Sequence, residues 1–258
     1  MVGSEVLLRS NMDGVAWLTL NRPEARNALS VPLMTALETA LDDIARDAAV
    51  RVAVIAGAGP AFCAGHDLRE LRGLDRDGQA ALFAQCSRLM QRIVGSRTPV
   101  IARVHGIATA AGCQLVASCD LALAADTARF ATPGVNIGLF CSTPMVALSR
   151  AVGRKAAMRM LLTGDMVGAL DAERLGLVNQ ALPAPDLDAA VWDLARKIAS
   201  RSAVTVGLGK PAFYAQAEMP LAEAYAYAAG VMVQNMAEPD AVEGIDAFLE
   251  KREAVWAS

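Results

Sequence analysis

Histidine is nearly missing from this sequence: across 258 residues only His66 and His105 supply an imidazole. A His-rich metal site is thereby excluded, and the carboxylates show neither a helical HExxH arrangement nor a loop spacing that would replace it, so no metal is predicted. The five cysteines, Cys63, Cys86, Cys113, Cys119 and Cys141, are odd in number and form no CxxC or Cys/His metal pattern, which predicts reduced thiols. A basic excess is lacking too. With 24 Lys and Arg against 27 Asp and Glu, no polybasic field exists to neutralise a phosphate backbone, which argues against a nucleic-acid partner. Long apolar runs are also absent: despite 54% hydrophobic composition, every apolar stretch is broken by Arg, Asp, Gly or Pro well before the about twenty residues a membrane helix needs. The segment Met1 to Arg9 carries Glu5 and no long apolar run ending at a small-residue cleavage site, so it does not read as a secretory signal, and the cytoplasm is the default placement.

What is present is an alternation of strand and helix patterns. Val6 to Leu20 reads as two strands joined by turn chemistry at Asn11 to Gly14. Ser30 can cap a helix whose Leu33, Leu37, Ala40, Leu41, Ile44 and Ala48 recur at three- and four-residue steps. Val50 to Ala56 is a short β-branched run after that helix, which favours a crossover unit with a parallel strand. The pattern returns with a helix over Ala80 to Val94, a strand over Val100 to Val104, a short helix over Ala111 to Ser118 and a strand over Leu121 to Ala124. The fold class is therefore α/β. Beyond Thr143 helices dominate, with Val178 to Leu182 strand-like, and Leu221 to Lys251 is helical but interrupted at Glu238-Pro239-Asp240.

Two glycine-punctuated stretches, Phe62-Cys63-Ala64-Gly65-His66-Asp67-Leu68 and Val104-His105-Gly106-Ile107-Ala108-Thr109-Ala110-Ala111-Gly112-Cys113-Gln114-Leu115, each join a strand to a helix. Small residues there let a ligand approach the backbone, and free N–H groups at a helix start attract an anion. Such junctions are common in α/β proteins, so alone they specify no chemistry.

Taken in order, Leu20-Asn21-Arg22-Pro23-Glu24-Ala25-Arg26-Asn27-Ala28-Leu29-Ser30, the two junctions, Phe130-Ala131-Thr132-Pro133, Arg150-Ala151-Val152-Gly153 and Leu162-Thr163-Gly164-Asp165 resemble the signature of the crotonase superfamily, the enoyl-CoA hydratase/isomerase family. Within it the sequence is most similar to the divergent enoyl-CoA hydratase domain-containing proteins of animal mitochondria. The resemblance implies a crotonase-like spiral of ββα units over residues 1–195, a helical C-terminal trimerisation region over 196–258, and a homotrimer or hexamer. It implies an acyl-CoA thioester substrate, with coenzyme A entering as part of that substrate and no separate cofactor. By motif matching, the backbone N–H groups of His66 and Ala111 correspond to the pair that polarises the thioester carbonyl. Arg26, Ala64, His66, Asp67 and Leu68 fall where the family cradles the CoA moiety.

The family's two catalytic Glu positions correspond to Gln114 and Gly134. Gln hydrogen-bonds but does not accept a proton from water, and Gly supplies nothing. A positioned acid or base contributes roughly 10² to 10⁴ in rate, so the usual hydration mechanism is deprived of its machinery. Candidates to substitute are His66, Asp67, Cys63, Cys113, Asn136 and Cys141, while Thr143 before Pro144 reads as a helix cap. Hydratase or isomerase chemistry through a thioester enolate leads; a thioester hydrolase or decarboxylase, or a non-catalytic CoA-ester binder, are the alternatives. Restoring both carboxylates by Gln114→Glu with Gly134→Glu is expected to raise crotonyl-CoA hydration.

Overall fold

In the computed structural model, which describes residues 5–257, β1 (Leu7–Met12) and β2 (Val15–Leu20) form an antiparallel hairpin that turns at Asp13 and Gly14. Helix α1 (Val31–Arg46) follows, started by Ser30, whose hydroxyl accepts from the Leu33 N–H, and it buries Leu33, Leu37, Leu41 and Ile44 on one face. β3 (Val52–Gly57) then pairs parallel to β2, and β4 (Ala61–Cys63) leaves the main sheet. α2 (Leu68–Gly73) and α3 (Arg76–Gly95) are both started by aspartates, Asp67 and Asp75, whose carboxylates accept first-turn N–H groups. The unit repeats as β5 (Val100–Val104), β6 (Ile107–Thr109), α4 (Ala111–Ser118), β7 (Leu121–Ala125) and β8 (Arg129–Ala131).

The remaining elements are α5 (Pro144–Ala151), α6 (Arg154–Thr163), β9 (Val167–Gly168), α7 (Ala169–Leu175), β10 (Gln180–Leu182), α8 (Leu187–Ala199), α9 (Ala203–Ala217), α10 (Leu221–Met236) and α11 (Pro239–Glu250). Two sheets result. The larger runs β1-β2-β3-β5-β7-β10, parallel after the hairpin, and the smaller runs β4-β6-β8-β9. One face of the large sheet, with Val52, Val54, Ile101 and Leu123, packs on α8 through Leu187, Val191 and Ala195. The other face, with Ala53, Ile55, Ala102 and Val104, joins the main core with α1, α3 and α4. Near-continuous apolar strands such as Val52-Ala53-Val54-Ile55 are what a parallel sheet covered on both faces requires.

The small sheet is the part that residue patterning did not resolve. Its strands are two or three residues long, too short to show an alternation, and β4 and β6 run into or lie within the glycine-punctuated junctions. α9 also lay outside the pattern, because Gly207, Gly209 and Pro211 interrupt a helix that forms nonetheless. Among the described residues no helix is long and apolar enough to cross a membrane, and no group of three or more His, Cys, Asp or Glu is placed to hold a metal ion.

Candidate active site

The three parallel strands of the small sheet end on one cavity of about 620 Å³. After β4 the chain turns through Gly65, whose φ of 97° is the left-handed conformation that glycine adopts at low cost. There the Leu29 N–H donates to the Gly65 carbonyl and the Asp67 N–H to the Leu29 carbonyl. The His66 N–H, between them, has no acceptor among the described residues, and His66 lines the cavity.

After β6, Ala110 takes φ 50° and ψ −118°, a backbone conformation costly for a residue with a Cβ, held by its N–H donating to Ala131 O at 2.9 Å. Helix α4 starts immediately, and Ala110 offers no side-chain cap, so the first-turn N–H of Ala111 has no acceptor among the described residues, and Ala111 lines the cavity. The two junctions touch: a Cβ built on Gly65 would lie 2.9 Å from Ala110 Cβ and 3.3 Å from Ala111 N. Gly112 keeps α4 tight against β4, since its Cβ would fall 2.0 Å from the Cys63 carbonyl oxygen.

The Asn-Arg-Pro segment braces this arrangement from behind. Arg22 pairs with Asp67 at 2.9 Å and donates to the Ala28 carbonyl; Asn27, fully buried, donates to the Ala58 and Ala61 carbonyls. The Arg22 guanidinium holds the Asp67 carboxyl below its ordinary range. Asp67 is therefore a helix cap in an ion pair, not a free acid, and it does not line the cavity. Arg26 is exposed; what it contributes is its carbonyl, which accepts from the Ala64 N–H at 3.0 Å.

Ala64, His66, Leu68 and Ala111 come together on the cavity, with Leu71 and Phe83, which sequence reasoning missed because Leu71 lies on the short α2, not read as a helix, and Phe83 on a helix read only for its apolar spacing. The His66 ring meets Phe83 edge-on at 5.4 Å between centroids, and neither ring nitrogen, both removed from solvent, has a hydrogen-bond partner among the described residues. Burial pushes the His66 imidazole below its usual range. Cys63 and Cys113 are fully buried with thiols pushed up to about 12, which makes them core residues rather than nucleophiles. Asn136 and Cys141 border the cavity, whereas His105 bonds the Gly59 carbonyl at 2.8 Å instead. Thr143 precedes α5 as read, but its side chain makes no capping bond.

Gln114 and Gly134 are not two empty places for a carboxylate pair. Gln114 is buried, its Oε1 4.0 Å from Cys86 Sγ on α3, and it does not line the cavity. Gly134 does line it, but a Cβ there would meet the Leu139 carbonyl oxygen at 2.3 Å and Cys141 Sγ at 2.9 Å. The expectation that two glutamates would project toward a substrate is corrected accordingly: the turn from Pro133 to Cys141 folds back over Gly134, with the Leu139 N–H on the Gly134 carbonyl at 2.9 Å.

A spiral of ββα units whose two glycine-punctuated junctions meet on an apolar cavity defines a protein of the crotonase class. The comparisons with known proteins agree: the enoyl-CoA hydratase/isomerase family profile matches residues 10–258, and the chain belongs to that family. It is 46% identical over 246 residues to the mouse protein named enoyl-CoA hydratase domain-containing protein 3, mitochondrial, covering 95% of this chain and 82% of that one. Among solved structures, an enoyl-CoA hydratase from Mycobacterium smegmatis superposes with TM-score 0.96 at 52% identity, covering 98% of this chain and 99% of that one. The human enoyl-CoA hydratase domain-containing protein 3 superposes with TM-score 0.95 at 46% identity, covering 97% and 100%. The cytoplasmic placement is overturned by these relatives, since the mouse, rat and human proteins are named mitochondrial. Its basis was the absence of an apolar secretory run, and that absence does not distinguish the cytoplasm from compartments reached by amphipathic transit segments.

Proposed function

We propose that this protein is an acyl-CoA thioester enzyme of the hydratase/isomerase type, in which the His66 and Ala111 N–H groups stabilise a thioester enolate. The observation that carries this reading is the pair of unpaired backbone donors at touching junctions on one apolar cavity. Such donors act most strongly where water is excluded, and one is typically worth about 2.7 to 4 kcal/mol in the transition state. Ala64 and Leu68 would flank the pantetheine arm at the mouth, with Arg26 and Asp67 beside them. The lining residues that titrate are His66 and Cys141, so any proton step at the α-carbon falls to His66 or to water held near Asn136.

The closed position at Gly134 favours a second reading. Loss of CO₂ from a malonyl-type thioester needs no base: the carbon–carbon bonding pair passes into the thioester enolate, which the two N–H groups receive, and a proton is then added at the α-carbon. Thioester hydrolysis and binding without turnover complete the alternatives. A panel of enoyl-, acyl- and malonyl-type CoA thioesters followed by liquid chromatography with mass spectrometry separates them, because hydration adds a water, decarboxylation loses CO₂, hydrolysis frees CoA, isomerisation shifts retention at unchanged mass and binding alone changes neither. Folded protein that neither binds nor turns over any thioester would overturn the proposal. The double variant Gln114→Glu, Gly134→Glu is now expected to lose about 1–3 kcal/mol through overpacking and to gain no crotonyl-CoA hydration.

The assembly we propose is a homotrimer or hexamer, supported by the apolar side chains that α10 and α11 leave exposed, among them Leu221, Val233 and Phe248. Light scattering at micromolar concentration checks it; a monomer of 27.0 kDa would count against it.

A further inference from the structure

A second cavity, of about 410 Å³, opens at the opposite edge of the large sheet. From the C-terminal ends of β3 and β5 the chain passes into β4 and β6, which carry the cavity junctions. This cleft is lined by residues that precede those strands, Val50 and Arg51 before β3, and Arg97 to Pro99 before β5, together with the end of α1 and the start of α9. At about 3.3 Å per residue, six-residue β3 sets the two sites roughly 20 Å apart, with the packed sheet between them. In a chain of net charge −3, the charged groups lining the cleft are Arg46, Arg51, Arg97 and Arg201 against one carboxylate, Asp47.

Two of these arginines are held in place by backbone. Arg51 donates to the Arg201 carbonyl at 2.5 Å, and Arg97 donates through Nε to the Gly207 carbonyl at 3.2 Å, a position kept open because residue 207 has no side chain. Those bonds fasten the α8–α9 junction to the core, but they leave Arg46 and Arg201 without a part in it. Arg46 has an exposed contact with Asp43 at 3.3 Å, and the Arg201 side chain has no hydrogen bond or ion pair among the described residues. The first turn of α9, at Ala203 and Val204, adds a positive helix end. Opposing it are the final carbonyls of α1 and Asp47, which is 3.8 Å from Arg9 and caps the Ala49 N–H. The balance stays positive, and guanidinium forks suit tetrahedral oxyanions.

We propose that this cleft is a second ligand site, for a small multiply charged phosphate compound of diphosphate size, separate from the thioester cavity and independent of the reaction proposed there. The test is calorimetric titration of the full-length protein with inorganic pyrophosphate at constant ionic strength. Saturable binding is expected, weakened at least about tenfold in Arg201→Ala, partly recovered in Arg201→Lys and unchanged in Arg154→Ala on distant α6. Arg201→Ala removes no bond of the fold, because Arg51 uses the Arg201 carbonyl. No saturable binding, or equal weakening in Arg154→Ala, would overturn the proposal.

Discussion

Helices α1 and α10 are both sixteen residues long, yet α1 buries six side chains and α10 buries one, Ala224. The difference extends to the regions they represent. In the spiral core, Val52, Val54, Ile55 and Ile101 are wholly inaccessible, whereas in the closing helices Leu221 is 75% exposed, Val233 72% and Phe248 82%. The core satisfies its apolar surface within one chain, and the closing helices do not. Stability should therefore concentrate in the core, and substitutions of one kind should act in opposite directions in the two regions.

Glycine-to-alanine changes break or sharpen this contrast most directly. Gly112→Ala in α4 places a methyl carbon 2.0 Å from the Cys63 carbonyl oxygen, a backbone atom that cannot yield cheaply, so the expected outcome is little or no folded protein on expression, read by circular dichroism. Next in size is the link between the regions. Lys210 of α9 donates to the Ile93 and Thr98 carbonyls and pairs with Asp120 at 2.8 Å, while Tyr214 donates to the other Asp120 oxygen at 2.9 Å. Lys210→Met leaves a mostly buried carboxylate short of its cation and should cost about 3–5 kcal/mol by urea denaturation. A loss below 1 kcal/mol would show that the closing helices are held by other means.

A smaller effect depends on pH. Burial lowers the folded-state pKa of His66 and His105, so the unfolded chain binds protons at a pH where the folded chain does not. Stability should be fully present above the unfolded value of about 6.5 and decline as pH falls below it toward the folded values. In His66→Phe the decline should be shallower, which urea midpoints between pH 5 and 7.5 will show; an unaltered slope would remove His66 as a contributor. The smallest effect belongs to Gly230→Ala in α10, where a Cβ meets nothing within 4 Å. It should stabilise a dissociated chain by about 0.5–1 kcal/mol through helix propensity alone.

The same contrast governs what sequence patterning could reveal. α1 and α3 were legible because a helix against a large core repeats its apolar residues at three and four steps, and the parallel sheet because its strands are β-branched runs between helices. α9 was not, since its Pro211 and two glycines mimic a break while Lys210 and Tyr214 hold it from the side. At the cavity the two junctions were marked by their small residues, whereas naming His66 and Ala111 within them rested on the family resemblance. The meaning of Gly134 was hidden, because the group that forbids a side chain there is a carbonyl five residues later, brought back by the Pro133–Ile137 turn. Arg22 and Asn27 entered the sequence reading only as letters of the family segment, because the partners that give them a role, Asp67, Ala58 and Ala61, lie 31 to 45 residues away.

The strand order β1-β2-β3-β5-β7-β10 never doubles back: each later strand of the large sheet is laid on the edge left by the one before. A chain leaving the ribosome from its N-terminus thus finds, at every stage, a finished edge waiting for the next segment. Domains made at about 5–20 residues per second can order as they emerge, and parallel pairing, slow when a whole chain must search for it, is broken here into short successive searches. Such a sheet suits vectorial assembly, and a circular permutant opened between α4 and β7 would have to fold against that order.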